Sequence, residues 1–303
     1  TYNGKYLVDG SHNSKVTATT TAMTNESLGS NTTSDTLFCD MTDRNGNSLN
    51  IQGSDTITMS VVKEGKTETF SVYGSQKLND LVSKSNALKS GADISSGSTI
   101  GSDVAGDTVN TADGGNAITI HAAGTGVTNQ ISGLTFSVTN TKGQVQKSAN
   151  AVLDNFSETI RAQNKSDDNA ISLQVGTKAN QSIRVGLTDM RAEALGLQSS
   201  TGATIQIGTQ EKANAAINVL DNAVQKALDQ QTTIGSVQSR LSYTASNLTT
   251  ASENVQASES TIRDADMAKE MTEYTKNNVL LQAAQSMLAQ ANQSSSSVLS
   301  LLQ

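Results

Sequence analysis

The chain has 303 residues, with 21 basic and 28 acidic side chains that give a formal net charge of −7. Only 3% of the residues are aromatic and 35% are hydrophobic, so the core must be built from Ala, Val, Ile and Leu, and binding to nucleic acid or stacking on sugars is disfavoured. The single cysteine excludes an intrachain disulfide, so an extracellular form would need another source of stability, such as self-assembly.

The first eleven residues lack the basic-then-apolar pattern of a signal peptide. No run in the chain approaches the roughly 18 apolar residues that span a bilayer. The sequence therefore predicts no membrane partner, and export, if it occurs, uses another route.

The sequence predicts that residues 12–169 form a β-rich region. Short runs in which Thr, Val and Ile alternate with polar residues are separated there by Gly, Asn and Asp, which is typical of strands and turns. Strands at 56–61 and 67–72 flank a turn at Glu64-Gly65-Lys66. Leu78, Leu81, Val82 and Leu88 then follow at helical spacing. This order predicts strand, turn, strand and helix.

The same order recurs further along the chain, which suggests a two-copy repeat. Strands are predicted at 117–120 and 134–138, followed by a helix whose face carries Val152, Leu153, Phe156 and Ile160. The tetrapeptide Thr-Phe-Ser-Val occurs in both copies, at 69–72 and at 135–138. Between the copies, residues 91–115 are rich in Gly, Ser and Asp and are predicted to be loop.

Glycine marks the main boundary of the chain, since 22 of the 23 glycines lie at or before Gly208 and only Gly235 follows. Proline is absent throughout. A stretch without either residue and rich in Ala, Gln, Leu and Lys favours helix. The sequence therefore predicts two long helices after residue 208.

The first long helix, at 209–262, carries an unbroken seven-residue apolar repeat. Its members are Leu220, Ala227, Ile234, Leu241, Leu248, Val255 and Ile262. A period of 3.5 residues held this long predicts coiled-coil-like packing against another long helix. The buried face of a helical hairpin within one chain is the competing interpretation.

The second long helix, at 263–303, is apolar around most of its circumference. A terminal helix of this kind is expected to be enclosed by other helices. Asp264 and Asp266 near its start are predicted to cap it and to offset the helix dipole. At i and i+2 they diverge on a helix, so together with Glu270 they make a poor acid–base pair.

The residues that carry enzyme chemistry are scarce. His12 and His121 are isolated, so the zinc motif His-Glu-x-x-His is missing. Cys39, in a region predicted to be a strand, has no histidine near it in sequence and is interpreted as a packed residue. The sequence predicts no catalytic residue, no metal site and no cofactor.

Two segments of the helical region have highly specific sequences. Residues 252–271 read SENVQASESTIRDADMAKEM, residues 281–293 read LQAAQSMLAQANQ, and the chain ends in Val298-Leu299-Ser300-Leu301-Leu302. They closely resemble the carboxyl-terminal region of bacterial flagellin. Residues 173–181 and 189–197 are similar to the core β-hairpin of that family and its following turn, and residues 2–11 are similar to the segment that ends its amino-terminal helical half.

This resemblance implies a domain order and a function. Residues 1–11 would be a remnant of the amino-terminal core segment, 12–169 the variable outer insertion, 170–208 the core hairpin, 209–262 the core helix and 263–303 the inner-tube helix. The implied function is a secreted, non-enzymatic subunit that polymerises into the extracellular flagellar filament for motility. The implied partners are other flagellin subunits, an export chaperone, hook and cap proteins, and host innate-immune receptors.

The family's amino-terminal helical arm does not precede residue 1, and a fragment is the simplest explanation. Without that arm, several stripe residues are expected to be exposed, and the chain is expected not to polymerise unaided. Two alternatives stay open: a hook-associated junction protein, and a surface-binding role of the insertion for glycans or host proteins.

The residues expected to mediate subunit packing are apolar positions of both helices together with one arginine. They are Ile217, Leu220, Val224, Ile234, Leu241, Leu248, Val255, Ile262, Arg263, Met267, Met271, Leu281, Leu288, Val298, Leu299, Leu301 and Leu302.

Overall fold

The computed structural model describes residues 8–11, 13–88, 94–264 and 266–301. The chain divides into two compact units, Thr1–Leu241 and Ser242–Gln303. The first unit contains the β-sheets, two short helices and the first part of a long helix, and the second contains the rest of that helix and another. The predicted α+β class is therefore confirmed.

Eleven strands lie among the described residues of the first unit. In chain order, β1 to β11 are Ala22–Asn25, Thr56–Lys63, Lys66–Tyr73, Ile94–Gly97, Thr99–Ser102, Thr108–Asn110, Ala117–His121, Ile131–Thr139, Ser157–Ile160, Ile171–Gln174 and Ser182–Val185. The helices are α1 at Leu78–Val82, α2 at Lys147–Leu153, α3 at Gln210–Arg263 and α4 at Met267–Leu301. The two long helices predicted from the distribution of glycine are confirmed as α3 and α4.

The strands form two larger sheets and two hairpins. The sheets have the orders β3-β2-β8 and β4-β7-β1-β9, and the two-stranded pairs are β5-β6 and β10-β11. The hairpin predicted around residue 65 is β2-β3, which pairs antiparallel from Thr56↔Tyr73 to Lys63↔Lys66. The hairpin predicted within 170–208 is β10-β11, with Ile171 opposite Val185.

The sheet β3-β2-β8 has one apolar face and one hydroxyl-rich face, because successive side chains of a strand point to opposite sides. Met59 lies opposite Phe70 on β3 and opposite Phe136 on β8, in the apolar face. The two Thr-Phe-Ser-Val tetrapeptides therefore flank one central strand in the same register. The opposite face carries nine Ser and Thr side chains: Thr56, Thr58, Ser60, Thr67, Thr69, Ser71, Thr135, Ser137 and Thr139.

One hydrophobic core takes side chains from both larger sheets and from α1 and α2. Its fully buried members include Met23 of β1, Ile57 of β2, Ile120 of β7, Phe136 of β8 and Leu153 of α2. Phe136 and Phe156 are its paired aromatic rings, with centroids 5.1 Å apart. The core is otherwise aliphatic, as the scarcity of aromatic residues predicts.

The second copy of the predicted repeat does not fold like the first. Its two strands, β7 and β8, lie in different sheets, whereas β2 and β3 form a hairpin. Its helix, α2, ends at Leu153, and Phe156 and Ile160 lie beyond it, Ile160 in β9. Residues 157–160 pair with β1, so strand pairing outweighs an apolar spacing that also fits a helix.

Three further expectations are corrected. Leu88 lies outside α1, which ends at Val82, because Leu88 forms a β-bridge with Ala122. Within the predicted loop at 91–115, the described residues contain β4, β5 and β6; backbone pairing of this kind requires no apolar alternation. Cys39 lies in a 3-10 helix, Phe38–Asp40, rather than in a strand.

Four tight turns share one construction. In each, the first residue accepts hydrogen bonds through its side-chain oxygen from the backbone N–H groups two and four positions later, and the fourth residue is a glycine with positive φ. The pairs of first and fourth residues are Asp43 with Gly46, Asp103 with Gly106, Asn140 with Gly143, and Ser199 with Gly202. Asp, Asn and Ser favour such turns by this local bonding, and glycine tolerates the left-handed backbone.

Candidate assembly surface of the long helices

Helix α3 begins directly after Gly208, where glycine-rich sequence gives way to helix formers. The Thr209 side chain accepts a hydrogen bond from the Lys212 N–H at 3.3 Å, which satisfies one of the free donors of the first turn. Gly235 is the one glycine in the 54 residues of this helix. The local sequence therefore accounts for both the start and the length of α3.

The first turns of α3 bury a face of small side chains. Ala215, Ala216, Val219 and Ala223 are buried, and Ala215 and Val219 pack with Val62 of β2. A Cβ atom added to Gly133 of β8 would lie 2.8 Å from Val219 Cγ2. Glycine at 133 therefore allows the helix to approach the sheet closely.

Polar side chains complete this contact along the edge of β8. Asn218 Oδ1 accepts from the Leu134 N–H at 3.4 Å, and the Asn222 amide donates to the Ser132 carbonyl at 2.9 Å. Backbone groups at the edge of a sheet need partners when they are covered. The two asparagines therefore fasten the helix to the strand.

A buried ion pair lies at the next turn of the same face. Lys226 Nζ is 3.2 Å from Glu158 Oε1, and the two side chains are 9% and 4% exposed. Burial raises the pKa of Glu158, while Lys226 and Arg161 act in the opposite direction. Arg161 also pairs with Asp229 at 2.6 Å, nearer to solvent.

The other side of the same turns exposes large apolar side chains. Ile217, Leu220, Val224 and Leu228 are 58%, 50%, 56% and 49% exposed. The first three were predicted to mediate packing, whereas Leu228 was missed. The sequence analysis also missed the buried face, although its alanines and valine at spacings of three and four were the available signal.

The predicted stripe remains largely exposed along the rest of α3. In the first unit Ile234 is 47% exposed and Leu241 is half-buried. In the second unit Leu248, Val255 and Ile262 are exposed, and Ile262 reaches 88%. The expectation that several stripe residues face solvent is therefore confirmed.

Helix α4 exposes apolar residues on every side. Its exposed large side chains include the predicted positions Met267, Met271, Leu281, Leu288, Val298 and Leu299. Leu301 is its last residue, and Leu302 lies outside the described residues. Among the residues described in this helix, none is buried.

The break between α3 and α4 is built from local polar contacts. Asp266 Oδ1 accepts from the N–H groups of Ala268 and Lys269 at 3.0 and 3.2 Å, so its predicted capping role is confirmed. Asp264 instead accepts from Ser260 Oγ at 2.6 Å, at the end of α3. Arg263 is exposed and pairs with Glu259 at 2.7 Å.

The side chains that could take part in catalysis or metal binding, namely the cysteine and the histidines, are not assembled into a reactive site among the described residues. Burial, and then the neighbouring carboxylate of Asp40, raise the pKa of the Cys39 thiol, which disfavours the reactive thiolate. His121 ends β7, and His12 lies outside the described residues. Among the described residues, no cluster of His, Cys, Asp and Glu could hold a metal ion, and no helix has the length and apolar composition of a membrane span.

A cleft of about 360 Å³ lies where residues 161–166, the segment at 188–194 and α3 meet. Its charged side chains include two close pairs, Arg161 with Asp229 at 2.6 Å and Arg191 with Asp189 at 2.7 Å. Asp9 lies at the same place and forms a β-bridge with Asp189. The cleft therefore brings residues 9–10 next to the segment that follows the hairpin β10-β11.

Comparison with known proteins places these helices in a family. The family described as the bacterial flagellin C-terminal helical region matches residues 217–302. A flagellin of Bacillus subtilis (strain 168) is 37% identical over 58% of the chain and 63% of its own length. The flagellar filament 33 kDa core protein of Treponema phagedenis is 48% identical over 42% of the chain and 45% of its own length.

A third relative is matched over most of its length. The putative flagellin YvzB of Bacillus subtilis (strain 168) is 40% identical over 45% of the chain and 83% of its own length. For the two longer relatives the chain spans less than two thirds of their length.

Proposed function

The chain belongs to the flagellin family, and from this premise we propose that it is a structural subunit that polymerises into the bacterial flagellar filament. The observation that carries the proposal is the coincidence of the matched region, 217–302, with helices whose large apolar side chains face solvent. Monomeric proteins rarely display so many. Leaving them uncovered forgoes about 25 cal/mol per Å² of apolar area, which packing between subunits would recover.

The packing surface in this proposal contains the seventeen residues predicted from the sequence, with Leu228 added. Sixteen of them are apolar side chains, and Arg263 lies at the junction of the two helices. Apart from Leu241, which is half-buried, the members whose exposure is described are exposed, and this supports the proposal because a side chain already buried within its own chain cannot contact a neighbour.

The orientation follows from the same premise. We propose that α4 lies toward the inner tube of the filament, that α3 forms the next shell, and that residues 12–169 face outward. The exposed hydroxyl side chains Thr69 and Ser71 of β3 in that region suit contact with solvent. Extracellular localisation, an export chaperone, hook and cap proteins and host innate-immune receptors are further proposals that rest on the family.

No catalytic role is proposed for any residue. The raised pKa of Cys39 and the mutual pairing of the charges in the cleft support a structural interpretation of both places.

The proposal is tested by expressing this chain, joined before residue 1 to a flagellin amino-terminal helical arm, in a bacterium deleted for its own filament subunit. Electron microscopy should show filaments. Leu248→Asp with Val255→Asp should abolish them, because two buried charges would lie in the helix packing. Thr249→Asp with Gln256→Glu is the matched control at neighbouring polar positions and should retain filaments. Equal filament yield from both double variants would show that the stripe is not a packing surface.

A further inference from the structure

Helix α3 has two apolar faces in its first turns, and the fold buries the smaller one. Ala215, Val219 and Ala223 contact the sheet, while Ile217 and Leu220 face solvent. Adjacent residues of an α-helix point about 100° apart, since there are 3.6 residues per turn. A rotation of that size would bring the large side chains against the sheet and would bury more apolar area.

Hydrophobic burial alone would therefore favour packing the large-residue face, which carries Ile217 and Leu220, against the sheet. Contacts between methyl groups are also non-directional, so the alanine face cannot by itself specify one rotational setting. A specific setting requires polar groups that are satisfied in one orientation and left unpaired in the other. The interface contains a buried ion pair of this kind, Lys226 with Glu158. It is present in addition to the hydrogen bonds that Asn218 and Asn222 make to β8.

The geometry of this pair meets the requirement through charge, because Lys226 Nζ lies 3.2 Å from Glu158 Oε1 although that oxygen makes no hydrogen bond. Glu158 belongs to β9 and Lys226 to α3, so the contact joins the inserted region to the helix. Lys226 Nζ also lies 3.4 Å from the Gln130 side-chain oxygen, which is itself held because its amide donates to the Glu193 carbonyl at 2.6 Å. A rotated helix would leave the buried Glu158 carboxylate without its nearest cation and with only Arg161, whose Nε lies 3.9 Å from Oε2.

The energetics of a buried ion pair distinguish its effect on the orientation of a helix from its effect on the stability of the fold. A buried ion pair contributes little net stability relative to apolar residues of similar size, because desolvation offsets the attraction. Removal of one partner is nevertheless strongly destabilising, because it leaves an uncompensated charge. Such a pair destabilises the rotated orientation of α3 and adds little stability to the observed orientation.

We infer that Lys226 and Glu158 are positioning residues, which select the small-residue face of α3 for the sheet and thereby keep the large-residue face free. That the free face serves subunit packing is the one part that rests on the proposed function.

Engineered disulfides report the setting directly in the full chain with Cys39→Ser. Val62 and Val219 pack in one cluster, so cysteines at 62 and 219 report the observed setting. Cysteines at 62 and 220 report the rotated one. With the ion pair intact, oxidation should crosslink the 62–219 pair and leave the 62–220 pair reduced.

The decisive background is Glu158→Leu with Lys226→Met, which replaces the pair by apolar side chains. We expect a folded protein in which the ratio of 62–219 to 62–220 crosslinking falls by about tenfold, the factor produced by loss of one specific interaction of ordinary strength. Arg184→Gln with Asp168→Asn removes an exposed ion pair as the matched control and should leave the ratio unchanged. An unchanged ratio in the apolar background overturns the inference.

If the protein with Glu158→Leu and Lys226→Met does not fold, the variant with Glu158→Gln and Lys226→Gln is tested instead. The ratio of 62–219 to 62–220 crosslinking is again the measurement. The neutral amides of this variant remove the penalty for burying an uncompensated charge, so full selectivity there would show that charge does not select the setting and would overturn the inference as well. The readout comes from monomers. A fall in selectivity together with normal filaments would keep the positioning role and refute only its link to subunit packing.

Discussion

The carboxylate of Asp154 accepts a hydrogen bond from the backbone N–H of Phe136 at a distance of 2.6 Å. Asp154 follows the last residue of α2, and Phe136 lies on β8, the edge strand of its sheet. Asn150 and Asn218 accept in the same way from Val138 and Leu134. Side chains thus cover three alternate backbone N–H groups on the outer edge of β8. This cover protects the strand from pairing with another chain.

The first prediction concerns pH. Burial raises the pKa of Asp154 to about 6 from an ordinary value of 3.8, so its contribution to stability is complete below pH 3.8 and is lost as the pH rises through 6. Asp154→Asn keeps the acceptor oxygen without the charge. We expect it to increase the free energy of unfolding at pH 7.5 by about 2 kcal/mol and to have little effect at pH 4.

Urea unfolding at the two pH values measures this difference. Asp107→Asn, at an exposed residue, controls for the removal of one negative charge from an acidic protein. A variant at 154 that is less stable than the parent at pH 7.5 would mean that the charged hydrogen bond outweighs desolvation.

The second prediction concerns the approach of α3 to the sheet. Gly133→Ala places a methyl group 2.8 Å from Val219 Cγ2 and 3.1 Å from the Ala215 carbonyl. Overpacking of this kind costs about 1 to 3 kcal/mol. The additional change Val219→Ala should recover part of the loss by removing the nearer atom, and a thermal melt of the three proteins is the measurement. Normal stability of Gly133→Ala would show that the helix moves away without penalty.

The third prediction contrasts two glycines that have no atoms within 4 Å of an added Cβ. Gly106 has a φ of +92° in a tight turn, so Gly106→Ala should destabilise the first unit by about 1 kcal/mol through backbone strain alone. Gly235 lies inside α3, so Gly235→Ala should raise the helix content and slow amide exchange around residue 235. Opposite signs are expected, and effects of the same sign would contradict the argument.

The fourth prediction concerns α4 in the isolated monomer. Its described large apolar side chains, from Met267 to Leu299, are all exposed, and a helix without tertiary cover is marginal in water. Amide hydrogens of residues 275–290 should therefore exchange rapidly in a monomeric sample and slowly in filaments. Strong protection in the monomer would be incompatible with this view.

The sequence predicts the long helices well because their signals are local. Lack of glycine and proline, and one capping residue such as Asp266, are sufficient to define where a helix can run and where it begins. The exposed stripe could also be predicted, since the seven-residue repeat needs a partner that the rest of the chain does not supply.

The β region was predicted less well because its signals are not local. Phe156 and Ile160 fit a helical spacing, yet residues 157–160 pair with β1, more than 130 residues earlier in the chain. Similarly, the burial of Ala215 and Val219 depends on Gly133, whose importance becomes clear only when the sheet is assembled. The Asp-x-x-Gly and Asn-x-x-Gly turns were a local signal that the sequence analysis did not use.

The hydroxyl-rich face of the sheet β3-β2-β8 has a consequence for how the β-rich region at 12–169 behaves when solvent conditions change. Its nine Ser and Thr side chains carry no charge that titrates, and neighbouring hydroxyls such as Thr58 and Ser71 bond to each other at 3.1 Å. The exposed members, Thr69 and Ser71, present neutral donors and acceptors to solvent. Adsorption onto this face should therefore respond to dehydrating solutes, and hardly at all to acidity or ionic strength.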